Sequence, residues 1–279
     1  MKIIECPRDA MQGMLKFIPT AQKIKYINQL LRVGFDTIDF GSFVSPKLIP
    51  QLKDTSDVIK GLDLSDSRTK LLSIIANYRG AVNACSFDEI NYLGFPLSVS
   101  EEFQKRNTNK SILDAMTVLK KIHELTLQYN KELVVYISMA FGNPYNESYH
   151  VDLVCKLTNS LHDMGVKTIS LSDTVGVASV NNIQSLFSIL ITEYPSIDFG
   201  AHFHAHPSFW KEKIKIAYDV GCRRFDGALK GYGGCPMAKD KLIGNIATEK
   251  LVEYFADEIN VNISELHRSI KISKEVFKY

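Results

Sequence analysis

No two of the five cysteines (Cys6, Cys85, Cys155, Cys222 and Cys235) stand in a CxxC spacing. With an odd count and no signal-peptide pattern at the start, a disulfide framework is not expected and a reducing cytoplasm is. No apolar run is long enough to span a bilayer, so no membrane partner is expected. The charge is nearly balanced, 33 basic against 31 acidic residues for a net +2, and no Lys/Arg-rich run breaks it. That gives no reason to expect a nucleic-acid partner, although a phosphate-bearing small substrate needs only a few local cations and stays open. Linkers and low-complexity segments are missing too, so residues 1–279 read as one domain. With 45% apolar and 23% charged residues the chain can bury a sizeable core, and α/β barrels commonly reach this length as a single unit.

What is present is an alternation of strand and helix patterns. Residues 2–6 form a short apolar run stopped by Pro7, which cannot donate to a sheet ladder, so Arg8 and Asp9 lie just beyond the first strand. Further strands are predicted at 37–40, 70–76, 90–97, 133–141, 168–172, 199–204 and 223–228. Helices are predicted over 20–33, 46–61, 79–86, 111–129, 148–164, 180–193 and 208–220, and from 248, with one more apolar stretch at the C-terminus. Gly34, Gly165 and Gly221 each stop a helix directly before a strand. Eight strands alternating with eight helices predict an α/β fold, a (β/α)8 TIM barrel with a short C-terminal helical extension. An open doubly wound sheet is the alternative, but no GxGxxG turn follows the first strand.

The stretch Gly200-Ala201-His202-Phe203-His204 carries the clearest chemical signal. Two histidines two apart in a strand point the same way and can fill adjacent positions around a divalent metal. Active-site groups of such a barrel sit at the C-terminal strand ends. That rule selects Arg8, Asp9, Asp39, Asp173, His202 and His204, together with the loop 230–245, which carries GYGGCP around Cys235 and ends in Asn245. Each has a plainer reading: Asp9 as a helix cap, Asp39 as a structural carboxylate, Asp173 as a turn residue, Cys235 as an inert thiol. Taken together they describe a site. One carboxylate, two imidazoles and an amide oxygen suit Mg²⁺, Mn²⁺ or Co²⁺ better than a closed thiolate zinc site. Such an ion chelates a substrate through a hydroxyl and a neighbouring carboxylate, and Arg8 beside it stabilises an oxyanion growing on a carbonyl. This is the chemistry of carbon–carbon cleavage or formation next to a carbonyl.

Six blocks, PRDAMQ (7–12), SFVSPK (42–47), ISLSDTVGV (169–177), AHFH (201–204), GGCP (233–236) and GNIATE (244–249), resemble the 3-hydroxy-3-methylglutaryl-CoA lyases, in that family's order. These belong to the DRE-TIM metallolyases. The resemblance implies a barrel that cleaves 3-hydroxy-3-methylglutaryl-CoA to acetyl-CoA and acetoacetate, in leucine degradation and ketone-body formation. It puts the metal ligands on Asp9, His202, His204 and Asn245, with Mg or Mn as the ion, and the essential arginine on Arg8. It puts a mobile-loop cysteine that assists proton transfer on Cys235, with Gly233 and Gly234 beside it, an aspartate after strand six on Asp173 and a loop glutamate on Glu249. An acyl-CoA thioester is the implied partner, and family habit implies a homodimer.

Three positions depart from the family: Ala10 follows the Arg-Asp pair where glycine is usual, Ala205 replaces an aspartate, and Asp39 replaces the strand-two glutamate. Asp39 is one methylene shorter and reaches about 1.5 Å less far. It is expected either to take the substrate hydroxyl proton or to hold Arg8 in place, and the second role is favoured because a fixed arginine needs an anion beside it. The alternatives are a Claisen-condensing enzyme resembling homocitrate or isopropylmalate synthase, and a non-catalytic barrel. Little sequence follows the barrel where the condensing enzymes usually continue, and the GGCP loop also favours the lyase.

Overall fold

A computed structural model describes residues 1–234 and 243–278. Its strands β1 (Lys2–Glu5), β2 (Thr37–Ser42), β3 (Lys70–Ile74), β4 (Ile90–Ser98), β5 (Glu132–Ser138), β6 (Thr168–Asp173), β7 (Asp198–Ala205) and β8 (Arg224–Gly227) pair in parallel with their chain neighbours. The pairings of β1 with β8 and of β6 with β7 close the sheet into an eight-stranded barrel. A short β9 (Gly244–Asn245) adds antiparallel to the upper end of β7. Around the sheet lie α1 (Pro7–Gln12), α2 (Thr20–Leu31), α3 (Thr55–Lys60), α4 (Tyr78–Cys85), α5 (Glu101–Thr108), α6 (Ile112–Gln128), α7 (Val151–Met164), α8 (Val180–Glu193), α9 (Trp210–Asp219), α10 (Thr248–Tyr254) and α11 (Ile263–Val276). None of the helices among the described residues is long and apolar enough to cross a membrane.

Burial on both faces explains why the strands read as nearly continuous apolar runs. The β5 sequence ELVVYIS is buried from its second residue on. Its outward residues Leu133, Val135 and Ile137 join the layer between sheet and helices, while Val134 and Tyr136 join Leu72, Ile74 and Tyr92 inside the barrel. The helices meet that layer through one face each, as α2 does with Lys23, Tyr26, Ile27, Leu30 and Leu31. Each Leu or Ile so buried contributes about 1.5–3 kcal/mol relative to exposure. Gly34, Gly165 and Gly221 adopt φ of +83°, +94° and +107°, the left-handed turns expected where helices give way to strands.

Three segments differ from the pattern-based expectation. Pro7 does more than end β1, because it opens α1 as the first helical residue, where its missing N–H costs nothing. Between β4 and β5 an additional short helix, α5, precedes α6. It lacks an apolar stripe and is held by its ends: the Ser100 side chain accepts from Phe103 N, Glu101 and Glu102 sit in the first turn, Lys105 and Arg106 in the last, and Asn109 stops it in the left-handed region. The helix predicted over 46–61 is cut down to one turn at Pro50–Leu52 and α3, because Pro46 and Pro50 interrupt it.

Glu5, at the end of β1, points out of the barrel into the helix layer. Its carboxyl accepts from Leu229 N at 3.1 Å and meets the Thr248 hydroxyl, tying β1 to the start of α10. Burial raises its pKa to about 8 against the two hydrogen bonds that lower it. A carboxyl whose pKa rises on folding favours the folded state most below its unfolded pKa, and that contribution is lost as pH climbs towards the folded value. The Glu5→Gln variant keeps the shape and cannot ionise. Its melting temperature should match the parent near pH 4.5 and exceed it increasingly up to pH 8; a constant difference across that range would mean Glu5 is buried as a carboxylate.

Candidate active site

The N-terminal turn of α1 delivers Arg8 and Asp9 to the mouth of the barrel. Arg8 is 7% exposed. Its Nε and Nη2 donate to the same oxygen of Asp39, Oδ2, at 2.9 and 2.6 Å, and its Nη1 donates to Asp9 Oδ1 and Gln12 Oε1, both at 2.8 Å. Four of five guanidinium N–H bonds are thereby engaged, and the second on Nη2 has no partner among the described residues. Burial opposes the charge on Arg8, but Asp39 and Asp9 outweigh it and its pKa moves up. Asp9 is also desolvated, yet Arg8, His202, His204 and the Asn245 amide hold its carboxyl well below the usual range. Asp39 goes the other way: burial raises it to about 6 despite Arg8.

From β7, His202 and His204 project to the same side, ring centroids 5.3 Å apart. Each is oriented through Nδ1, His202 by Asp226 Oδ2 at 3.0 Å and His204 by the Thr174 carbonyl at 2.9 Å. Tyr136 packs edge-on against the His202 ring, centroids 5.6 Å apart. An imidazole with Nδ1–H engaged presents Nε2 as its lone-pair donor. Burial lowers the His202 pKa, but the bond and charge of Asp226 outweigh that and the net shift is upward; in His204 burial, aided by His202, lowers it. The antiparallel pairing of β9 with β7 sets Asn245 directly opposite His204. Both N–H bonds of the Asn245 amide are used, to Asp9 Oδ2 at 2.7 Å and the Tyr232 carbonyl at 2.8 Å, so its oxygen is the atom left to meet a cation.

Ligand atoms of Asp9, His202 and His204 lie within 4.8 Å of one another. His204 Nε2 is buried with no partner among the described residues, a donor atom that a cation would satisfy. The residues therefore fit a divalent ion held by carboxylate and imidazole, with Asn245 alongside.

Asp173 is not part of this group. On β6 it pairs in register with Phe203, whose side chain lies in the outer layer, and so it points away from the histidines. Its Oδ2 accepts from Lys213 Nζ at 2.6 Å and its Oδ1 from Ala178 N at 3.1 Å, a buried ion pair pinning the loop after β6 to α9. Glu249 accepts from Lys230 N at 2.9 Å and braces the start of the loop after β8. Gly233, with φ +85°, lies against the site: a Cβ there would come within 2.8 Å of the Asp9 carbonyl and 2.9 Å of Asn245 Nδ2. Gly234, with φ +126°, abuts Gly244. Cys235 lies outside the described residues. Sequence reasoning passed over Asp226 and Gln12. The alternation of β8, in which Arg224 and Asp226 share a face, was a usable signal for Asp226; for Gln12 there was only its position one turn after Arg8.

A family model described as HMGL-like matches residues 2–274. The chain is 34% identical over 272 residues to a hydroxymethylglutaryl-CoA lyase of Bacillus subtilis, covering 96% of this chain and 90% of the relative. To the human cytoplasmic 3-hydroxy-3-methylglutaryl-CoA lyase it is 32% identical over 265 residues, covering 94% and 70%. Among solved structures, a Bacillus subtilis HMG-CoA lyase aligns at a TM-score of 0.92 with 33% identity over 98% of this chain and 92% of that one. An Acinetobacter baumannii HMG-CoA lyase in complex with coenzyme A and 3-methylmalate aligns at 0.90 with 30% identity, covering 99% and 90%.

Gly233 leaves no room for a side chain against Asp9 and Asn245, two candidate ligands. Gly233→Ala adds a Cβ where backbone and Asn245 already stand and forces a left-handed φ on a residue that resists it. Affinity for Mn²⁺, measured by calorimetric titration, should fall about 10–100-fold, as when a residue orienting a ligand is lost. An unchanged affinity would show that the loop after β8 does not position Asp9 and Asn245.

Proposed function

The chain belongs to the HMGL-like family, and from that membership we propose that it is a carbon–carbon lyase cleaving 3-hydroxy-3-methylglutaryl-CoA to acetyl-CoA and acetoacetate. The observation that carries this reading is the Asp9–His202–His204 group with Arg8 fixed at its edge. Coenzyme A in the Acinetobacter relative supports an acyl-CoA thioester as the partner, and relatives of similar identity are named both cytoplasmic and mitochondrial.

In the reaction the tertiary hydroxyl of the substrate loses its proton and the bond to the methylene beside the thioester breaks. The electron pair moves onto the thioester oxygen, and the methylene carbon then takes a proton, giving acetyl-CoA; acetoacetate leaves as the ketone. A divalent ion at Asp9, His202, His204 and Asn245 supplies Lewis acidity and a template for the substrate oxygens when bound. Oxygen and imidazole donors with no thiolate among them favour Mg²⁺ or Mn²⁺.

Arg8 offers the remaining Nη2 hydrogen to the thioester oxygen, where negative charge grows. Asp39 keeps the guanidinium from turning, since two of its N–H bonds end on one carboxylate oxygen. The hydrogen bonds to Asp226 and Thr174 hold both imidazoles in the tautomer that presents Nε2. By the resemblance, Cys235 delivers the proton to the methylene carbon.

Purified protein loaded with Mg²⁺ or Mn²⁺ should release acetyl-CoA and acetoacetate in equal amounts from the substrate, and chelation should stop it. No product with either ion would overturn the assignment. In Arg8→Gln, kcat should fall on the order of 10²-fold or more with little change in KM, because the lost donor acts where charge develops. A raised KM with unchanged kcat would make Arg8 a binding anchor instead.

A further inference from the structure

Asp226 faces more than one neighbour. The Cys6 thiol, a ring nitrogen of His202 and a carboxylate oxygen of Asp226 lie within 4.8 Å of one another, just beneath the Asp9–His202–His204 group. Cys6 is 1% exposed, and its Sγ makes a long 3.8 Å contact with the Ile4 carbonyl. Asp226 Oδ1 is buried with no partner among the described residues. The nitrogen of His202 turned towards Asp226 is Nδ1, at 3.0 Å, the opposite edge of the ring from the one the upper group requires.

We propose that Cys6, Nδ1 of His202 and Asp226 form a second, thiophilic metal site, which takes a d¹⁰ divalent ion such as zinc, and that filling it switches off the upper one. A thiolate, an imidazole and a carboxylate are a zinc-type donor set, in contrast to the oxygen-rich set above it. The unpartnered Oδ1 of Asp226 gains a cation, and the two anionic ligands balance a divalent charge. Burial, and then the charges of Asp226, Asp39 and Asp9, push the Cys6 thiol pKa up, so no thiolate stands ready. The ion must form its bond to sulfur as the S–H proton leaves to solvent, which a thiophilic ion achieves and Mg²⁺ or Mn²⁺ does not.

Exclusion between the sites follows from the imidazole itself. A neutral ring has one N–H and one lone pair. With Nδ1 bound to the lower ion the proton moves to Nε2, and Asp9 and His204 lose the ligand between them. Filling the lower site therefore costs the upper one its central ligand. Binding of the ion stands independently of the reaction; only the inhibitory consequence rests on the lyase reading.

Cd²⁺ titrated into the metal-free full-length protein is the direct probe, read by the ultraviolet thiolate-to-cadmium charge-transfer band. The band should saturate at one ion per chain in the parent and in Cys235→Ser, and be absent in Cys6→Ser and in Cys6→Ala, the latter an apolar replacement in case the serine hydroxyl disturbs folding. In Asp226→Asn the affinity should drop about 10-fold or more. In the Mn²⁺-loaded lyase assay, Cys6→Ser should turn over at the parental rate while the Cd²⁺ midpoint for inhibition rises about 10-fold or more. A band retained in the Cys6 variants, lost in Cys235→Ser or missing from the parent overturns the site. Equal inhibition of parent and Cys6→Ser overturns the exclusion, and a protein with no lyase activity still gives the spectroscopic answer.

Discussion

A guanidinium sealed between two carboxylates governs the mouth of this barrel. Arg8 cannot be buried alone, since a lone interior charge costs about 3–5 kcal/mol once its partner is removed. Asp39 from β2 and Asp9 from α1 meet that demand, and in doing so they fix how the first strand hands over to its helix. The pairing also sets the reach required of β2. Its register with β3 shifts between Asp39 and Gly41, and the short aspartate contacts Arg8 through one oxygen while its other oxygen has no partner among the described residues. Asp9 is then committed on one oxygen to the arginine and on the other to Asn245, so ligand geometry and arginine geometry are set together.

Support for that arrangement comes from far along the chain. The α11 helix lies on α2, with Gln29 donating to Glu265 and Tyr26 meeting Phe277 edge-on at 5.8 Å. Phe277 also packs on Tyr232, ring centroids 4.7 Å apart, and the Tyr232 carbonyl accepts from the Asn245 amide that donates to Asp9. The C-terminal helix is thus linked to Asn245 and Asp9, two of the proposed metal ligands, through two aromatic rings and one amide. In the sequence it shows only as an apolar stretch in a short C-terminal helical extension, with no hint of this connection.

The barrel was legible because its strands are β-rich runs between glycine-stopped helices, and the HxH pair because alternation puts both rings on one face. Inward and outward were not legible in strands buried on both sides. Asp39 and Asp173 look alike in sequence, each an acid in an apolar run, yet one faces the barrel and the other Lys213 in the helix layer. Only the pairing of Asp173 with Phe203 separates them. Asp226 shares a face of β8 with Arg224, but alternation alone did not say that this face meets His202 on the neighbouring strand. The short helices α1 and α5 escaped periodicity because a proline and a serine cap with end charges hold them, with no repeating apolar face.

Residues 231–234 and 243–245 come together at one point: a Cβ on Gly244 would stand 2.7 Å from the Gly231 carbonyl and 3.0 Å from that of Gly233. The chain therefore leaves for residues 235–242 and returns from them at almost the same place, with Asn245 already bonded to Asp9 and Tyr232 on the returning side. The flanks alone therefore carry the placement of Asn245 against Asp9, whatever the length of chain between them.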